Sequence, residues 1–317
     1  EYDDIGREPH ELKVKNINPY LVEGRDIFLA SRSNPICHVP GISYGSMAND
    51  GGNLLLSDEE KNDILRKEPD SEIFIRPFLG SAEFINNIKR WCIWLKDIPP
   101  NKYSKFKEIY KRVQAVKEYR LRSTRENTRK LAENPMLFGE IRQPNTDYLL
   151  IPGVSSENRK YIPVGFLTKD IIASDLARTI PGGDLYMLGV VTSHMHMTWV
   201  KYVCGRLKSD YRYSGSIVYN NFPWPENTSE KQKEAVEKAA QAVLDARAQF
   251  QSPAPGEKGA SLADLYDPNT MPPVLVKAHQ TLDKAVDLCY RPQPFQNETK
   301  RIEFLFELYD KYTAGMF

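Results

Sequence analysis

The 317-residue chain is 41% hydrophobic and 27% charged, the composition of an ordinary soluble protein, and it is long enough for two domains with sizeable cores. Its formal net charge of +1 excludes a wholesale basic coat for nucleic acid, so any such surface must be a local patch balanced by acids elsewhere. Four cysteines, Cys37, Cys92, Cys204 and Cys289, lie far apart with no Cys-x-x-Cys pair, which argues against a disulfide scaffold or zinc ribbon and fits a reducing cytoplasm.

The chain opens on Glu1 with no methionine and no signal peptide, in a stretch with the texture of a protein interior, and the expectation is a fragment of a longer polypeptide. β-Branched or aromatic runs bounded by Pro, Gly or Asn mark strand candidates at Glu11–Val14, Ile27–Ala30, Arg90–Leu95, Tyr148–Ile151, Ile162–Leu167 and Ile171–Ala173. Ser57-Asp-Glu-Glu60 is a capping box that opens a helix to about Lys67. Asn101–Asn134 reads as the longest helix, with Tyr103, Phe106, Tyr110 and Val113 as its buried stripe and a Lys- and Arg-rich face off that stripe. Leu185–Gly205 reads as a second, apolar helix; His194, His196 and Lys201 interrupt it, so it belongs in a core rather than a membrane.

After Pro223-Trp-Pro225 the texture becomes all-helical. Ser229–Gln232 is another capping box, opening a helix with Val236, Ala239, Ala240, Val243 and Leu244 on one face. Gln251–Gly259 is a loop; Pro273–Tyr290 then carries Leu275, Leu282, Val286 and Cys289 at helical spacing, and Glu298–Thr313 carries Ile302, Leu305, Phe306 and Tyr309. The expected fold class is α+β: a mixed β-rich region with inserted helices, followed by a small all-α C-terminal bundle packed on it.

Between the apolar helix and the prolines lies Arg206–Ser214, Arg-Leu-Lys-Ser-Asp-Tyr-Arg-Tyr-Ser. As one strand it places Arg206, Lys208, Asp210 and Arg212 on one face and Leu207, Ser209, Tyr211 and Tyr213 on the other. A row of donor, donor, acceptor, donor suits base edges in a DNA major groove, where Lys or Arg donates to guanine O6 and N7 and a carboxylate accepts from cytosine N4. The same row also suits a solvated strand face.

The row keeps company with five other words: Phe74-Ile-Arg-Pro-Phe-Leu-Gly-Ser81, Gly139-Glu-Ile-Arg-Gln-Pro144, Val154-Ser-Ser-Glu-Asn-Arg-Lys-Tyr-Ile-Pro163, Thr192-Ser-His-Met-His-Met197 and Ile217-Val-Tyr-Asn-Asn-Phe-Pro-Trp-Pro225. In this order they resemble the target-recognition and C-terminal parts of MmeI-like adenine-N6 DNA methyltransferases, over nearly all of the chain. Those proteins join a nuclease, a helical connector, a methyltransferase and a recognition domain in one restriction-modification polypeptide. The resemblance implies that residues 1–16 are the tail of the methyltransferase region or a linker, 17–225 the target-recognition domain and 226–317 a C-terminal helical domain. It implies double-stranded DNA and the upstream methyltransferase domain as partners, a bacterial cytoplasm and no membrane. It also implies that S-adenosylmethionine binds in the upstream domain, leaving no cofactor, catalytic residue or metal site in this chain.

Site residues follow from the same resemblance. Bases are read in the family at positions matching Lys208, Asp210 and Arg212, and at others matching Asp175 and Leu176 in Ala173-Ser-Asp-Leu-Ala177. Lys208 toward a guanine and Asp210 toward its cytosine would address one base pair, with Arg212 on a neighbour. Ser155, Ser156, Arg159 and Lys160, on a loop between strands, and Arg206 are candidates for phosphate or flanking contacts. Arg120, Arg122, Arg125 and Arg129 on the basic helix are candidates for tracking phosphates, the other reading of that helix being a solvated face with internal ion pairs.

Three further motifs carry less. Asn18-Pro19-Tyr20 invites comparison with the Asn-Pro-Pro-Tyr motif that holds a flipped adenine, but it lacks the second proline and no glycine-rich cofactor turn precedes it, so it reads as a structural turn. His194 and His196 are two apart, about 200° on a helix, and do not converge on one metal. No cysteine has an activating partner in its local sequence. Two other classes stay open: a protein-binding scaffold without base readout, favoured by an exposed apolar patch with no basic groove, and an enzyme in its own right, which needs converging catalytic side chains at recognisable spacing.

Overall fold

The computed structural model describes residues 13–251 and 259–315, so half of the strand candidate Glu11–Val14 and most of the loop Gln251–Gly259 lie outside the described residues. The first part runs β1 (Ser43–Tyr44), β2 (Leu55–Leu56), α1 (Asp58–Lys67), β3 (Ile75–Leu79), α2 (Ser81–Asn86), β4 (Trp91–Ile93), α3 (Pro100–Tyr103), α4 (Lys107–Leu121) and α5 (Glu126–Lys130). Then come β5 (Tyr148–Pro152), β6 (Val154–Ser155), β7 (Gly165–Leu167), β8 (Ile172–Ala173), β9 (Ala177–Pro181), α6 (Leu185–Thr192), α7 (His194–Val203), β10 (Gly205–Leu207) and β11 (Asp210–Arg212). The chain ends in α8 (Glu230–Gln251), α9 (Leu262–Leu265), α10 (Pro273–Tyr290) and α11 (Glu298–Thr313). The fold is α+β.

Three small sheets organise the first two parts, in the orders β1-β9-β5-β7, β10-β11-β6 and β2-β4-β3-β8. All neighbours are antiparallel except β3 and β8. The third sheet packs with α1 and α4 around Leu54, Ile64, Phe74, Phe78, Ile93, Ile109, Val113 and Val116. A larger core runs from Leu149 and Ile151 of β5 through α6 and α7 into α8, α10 and α11. At its centre the buried indole of Trp199 donates to the Val218 carbonyl at 3.0 Å and packs against Phe222, Phe306 and Tyr309. Phe222 and Trp224, on either side of Pro223, are both buried in it. The helical tail therefore shares one core with α6 and α7, and Gly189 sets the closeness of α6 to α8: a Cβ there would stand 2.6 Å from Val236 Cγ1.

Local signals explain the elements that match expectation. Ser57 and Glu60 cap α1 reciprocally, the Ser57 hydroxyl accepting from the Glu60 amide at 3.2 Å and the Glu60 carboxylate from the Ser57 amide at 2.9 Å. Ser229 and Gln232 do the same for α8. The expected faces of α8, α10 and α11 are buried, Leu244 partly.

Other elements differ, each for a physical reason. Asn101–Asn134 is broken: Phe106 is extended (φ −90°, ψ 105°) with its ring edge-on to Phe74 at 5.5 Å, and α4 starts only at Lys107. The buried stripe is then Ile109, Val113, Val116 and Arg120, and Tyr110 is 44% exposed. Leu185–Gly205 is two helices, because Ser193 is extended (φ −75°, ψ 163°) and the His194 amide turns to Asp283 Oδ1 at 2.7 Å. Ile27–Ala30 forms no strand; the side-chain amide of Asn221 takes the Ala30 carbonyl and that of Asn220 the Arg32 carbonyl, at 2.9 and 2.8 Å.

Candidate nucleic-acid interface

Arg206–Ser214 is a hairpin, not a single strand. Gly205 stands opposite Arg212, Arg206 opposite Tyr211 and Leu207 opposite Asp210, with Lys208 and Ser209 as a two-residue turn. Residues opposite one another share a face, so Asp210 and Arg212 lie with Leu207 and Gly205, while Arg206 lies with Tyr211 on the other face. The expected single row of Arg206, Lys208, Asp210 and Arg212 is thereby corrected. Lys208 is exposed at the tip in the left-handed region (φ 56°), Arg212 is exposed, and half-buried Asp210 accepts from the Glu157 amide at 3.3 Å. Arg206 lies 4.0 Å over the Tyr211 ring and donates to the Ser209 carbonyl at 3.0 Å, so it braces the hairpin it belongs to. Tyr213 is buried beneath, its hydroxyl 2.9 Å from His196 Nε2, and burial pushes the His196 imidazole down to about 3.

On its other edge β11 pairs with β6, Tyr211 opposite Ser155 and Arg212 opposite Val154, and the Tyr213 amide donates to the Gly153 carbonyl at 2.9 Å. Gly153 in turn donates to the Leu176 carbonyl at 3.2 Å. Asp175 and Leu176 are the central residues of a turn closed by the Ala177 amide on the Ser174 carbonyl at 2.9 Å. The amide of Asp175 bonds the Ser46 carbonyl at 3.1 Å and that of Leu176 the Ser174 hydroxyl at 3.2 Å. Leu176 projects with 65% exposure beside a half-buried Asp175. The base of the hairpin and the turn bearing Asp175 and Leu176 thus meet at Gly153, while Lys208 stands at the hairpin's far end.

The remaining candidates divide. Ser155 belongs to β6 and is buried, its hydroxyl accepting from Arg159 at 3.4 Å, so it is not a surface contact. Ser156 is half-buried and its hydroxyl accepts from the Asn158 amide; Lys160 is exposed. Arg159 is half-buried, and burial lowers its guanidinium, with the charges of Asp210 and Asp267 acting the other way. Arg120 is fully buried and donates to the carbonyls of Ala48, Asn49, Leu131, Asn134 and Leu137, which overturns its assignment to phosphates. Arg122, Arg125 and Arg129 are exposed; Arg122 pairs with Glu118 at 3.4 Å, and Arg129 donates to the carbonyls of Ser123 and Thr124.

A cationic cluster beside the turn escaped the sequence reading. Tyr44 pairs with Arg178 across β1 and β9, the Arg178 guanidinium lies 3.8 Å from the Tyr44 ring centroid, and Arg142 stands 5.8 Å from the same ring. Burial lowers Arg178, Tyr44 acts the other way, and the like charge of Arg212 lowers it further, which places Arg212 in the same field. Only the register of two strands far apart in sequence creates this group.

The motifs set aside earlier have structural partners. Asn18 is buried and its side-chain oxygen accepts from the amides of Tyr20 and Val22, so it is committed to a turn rather than to a ligand's amino group. His194 bonds Glu298 at 3.0 Å while His196 bonds Tyr213, so the two imidazoles serve different partners. Among the described residues no three His, Cys, Asp or Glu side chains are grouped to hold a metal ion, and no helix is long and apolar enough to cross a membrane.

Residues 23–226 match the family model of the MmeI target recognition domain, and residues 228–317 that of the MmeI C-terminal domain. The chain belongs to the MmeI family. DNA methyltransferase A of Bacillus subtilis (strain 168) is 42% identical to it over 303 residues, 95% of this chain and 33% of that protein. The solved structure of the type IIL restriction-modification enzyme MmeI in complex with DNA matches with a TM-score of 0.89 at 47% identity, covering 99% of this chain and 41% of that one. The chain thus spans well under half of either relative. Both turns lie within the span matched by the MmeI target recognition model, and α8 to α11 within the C-terminal match.

Proposed function

We propose that this chain reads DNA sequence for a site-specific adenine-N6 DNA methyltransferase of a restriction-modification system, and positions the target adenine for a catalytic domain elsewhere in the same polypeptide. The observation that carries this reading is the backbone junction at Gly153, which joins the Asp175–Leu176 turn to the base of the hairpin whose arm and tip carry Asp210 and Lys208. Membership of a target-recognition family, and a relative solved with DNA, support it. Lys208 donates to guanine O6 and N7, Asp210 accepts from the paired cytosine N4, and Arg212 addresses a neighbouring pair. Leu176 offers an apolar contact of the kind that suits a thymine methyl. Arg159, Lys160, Arg122, Arg125 and Arg129 supply contacts to phosphates, which fix register without reading sequence. S-adenosylmethionine would bind in the methyltransferase region of the longer polypeptide, in the cytoplasm of a bacterium; Asn18 is committed to its turn and holds no base.

The test is selection from a randomised duplex pool at two salt concentrations, with the bound fraction sequenced. An enriched motif is expected. Lys208→Glu combined with Asp210→Lys should then change the preferred base at one position and leave affinity for non-cognate duplex nearly intact. Salt-sensitive binding without enrichment at either salt would refute base reading by this chain, and absence of binding would favour a protein-binding scaffold.

A further inference from the structure

The word Phe74–Ser81 has no part in base reading as described, yet it ends on a side chain lodged between the two reading elements. Ser81 follows β3 at the start of α2 and is 8% exposed. Its hydroxyl donates to the Leu176 carbonyl at 2.5 Å and accepts from the Gly153 amide at 2.8 Å. Both roles of one hydroxyl are therefore used, one on each side of the junction. Arg178 completes the hold: its Nη1 donates to the carbonyls of Asp175 and Ala177 at 3.1 and 3.0 Å. Three consecutive carbonyls of the reading turn are thus each bonded, the outer two by Arg178 and the middle one by Ser81 and Gly153.

Gly153 is the shared surface. A Cβ there would stand 2.4 Å from the Leu176 carbonyl oxygen and 3.3 Å from Arg178 Nη1, so any side chain would push the turn away. Its own carbonyl accepts from the Tyr213 amide at 2.9 Å, one residue beyond β11. A displacement of the turn therefore reaches the hairpin through a single residue.

We propose that Ser81, with Gly153 and Arg178, is a positioning unit that sets the distance between the turn carrying Asp175 and Leu176 and the hairpin carrying Lys208 and Asp210, and so governs base discrimination at both. The unit touches no base. It rests on the sequence-reading function above. Hydrogen bonds to base edges require donor and acceptor placement to within a fraction of an ångström, whereas phosphate contacts tolerate displacement. Loss of the Ser81 hydroxyl leaves the Leu176 carbonyl with only the longer bond from the Gly153 amide, at 3.2 Å, and shifts the turn relative to the hairpin.

The experiment compares Ser81→Thr with Ser81→Val, which add the same methyl and differ only in the hydroxyl. Both are put through the randomised duplex selection beside the unaltered chain, with affinity for a non-cognate duplex and the thermal midpoint measured alongside. The expected result is that Thr keeps the preference profile while Val flattens it about tenfold at the positions read by both turns, the size of one buried hydrogen bond. Affinity for non-cognate duplex stays unchanged in both. Arg178→Lys, which keeps the charge and loses the fork, should flatten the profile at the Asp175 and Leu176 positions and gives a second route if neither Ser81 variant folds. A folded Val variant with an unaltered profile, or Thr and Val flattening it equally, would overturn the proposal while leaving base reading intact. If the unaltered chain enriches no motif, the base-reading function itself fails and takes the positioning unit with it.

Discussion

Replacing Arg120 by Met tests whether a buried cation can serve as a structural staple. The guanidinium bonds five carbonyls, from Ala48, Asn49, Leu131, Asn134 and Leu137, at 2.8 to 3.1 Å, tying the turn before β2 to the segment after α5. Hydrogen bonds from a charged donor contribute about 1.5–3 kcal/mol each, but bonds made by one group are not additive, and several of these carbonyls would recover water. Removal of the guanidinium also relieves its desolvation, which lowers its proton affinity and is only partly countered by the charge of Asp50. The balance is a loss of about 4 kcal/mol, at the upper end for one substitution, and a midpoint lower by roughly 10 °C. Urea and thermal unfolding can be followed by tryptophan fluorescence, to which Trp94, 5.0 Å from Phe138, and Trp91 contribute from the same core. Arg129→Ala is the contrast: it should cost under about 0.5 kcal/mol but reduce the salt slope of DNA binding by about 0.9. An Arg120→Met protein that loses less than about 1 kcal/mol, or that changes the salt slope while remaining stable, would refute the staple.

Three more outcomes are expected. Lys208→Gly should hold or raise stability by up to about 1 kcal/mol, since glycine tolerates the left-handed backbone that lysine adopts there, while abolishing the base preference tied to Lys208; denaturant titration showing a loss would contradict this. His196 is held near 3 by burial against about 6.5 unfolded, so its contribution is complete above 6.5 and is lost as pH falls toward 3, with about 2 kcal/mol gone by pH 5. His279, lowered well below its ordinary value chiefly by burial, acts in the same direction, so His196→Gln should remove only its own share of the fall in unfolding free energy between pH 7 and pH 5; an unchanged fall would count against neutral burial of His196. Gly189→Ala should destabilise by about 1–2 kcal/mol through overpacking against Val236, offset in part by better helix propensity, and Val236→Ala should recover some of the loss in the double variant. Additive losses would mean that the two residues do not clash.

The helices of the tail were legible because their periodicity and capping boxes are local, and Ser57–Glu60 shows how few residues such a signal needs. The hairpin was hidden because Lys208-Ser209 lacks the Gly or Asn that announces a two-residue turn, so alternation ran on through it. Arg120 sat in plain view at helical spacing behind Ile109, Val113 and Val116, but its charge pointed to the surface; the carbonyls that receive it come from segments on either side of α4. Ile27–Ala30 has the look of a strand, yet Asn220 and Asn221, far along the chain, take the neighbouring carbonyls. Lys208 and Asp210 were named from alternation and family words together, and Asp175 and Leu176 from family words, while the junction of their two elements at Gly153, and Tyr44 beside Arg178, depend on strand register that no local pattern encodes.

The two turns also bear on how easily such a protein can change. At positions 175, 176 and 208 the main chain is held by bonds to other main-chain or buried groups, or by the closed geometry of a hairpin, and Leu176 and Lys208 point outward. At 176 the choice of side chain therefore matters little to whether the chain folds, while at 208 the left-handed backbone and at 175 the bond from the Ser174 hydroxyl make it a matter of about 1 kcal/mol rather than of folding or not. A library randomised at the three positions should return mostly folded proteins that differ in which duplexes they retain, and a lineage could drift from one target to another by single codon changes without passing through an unfolded ancestor.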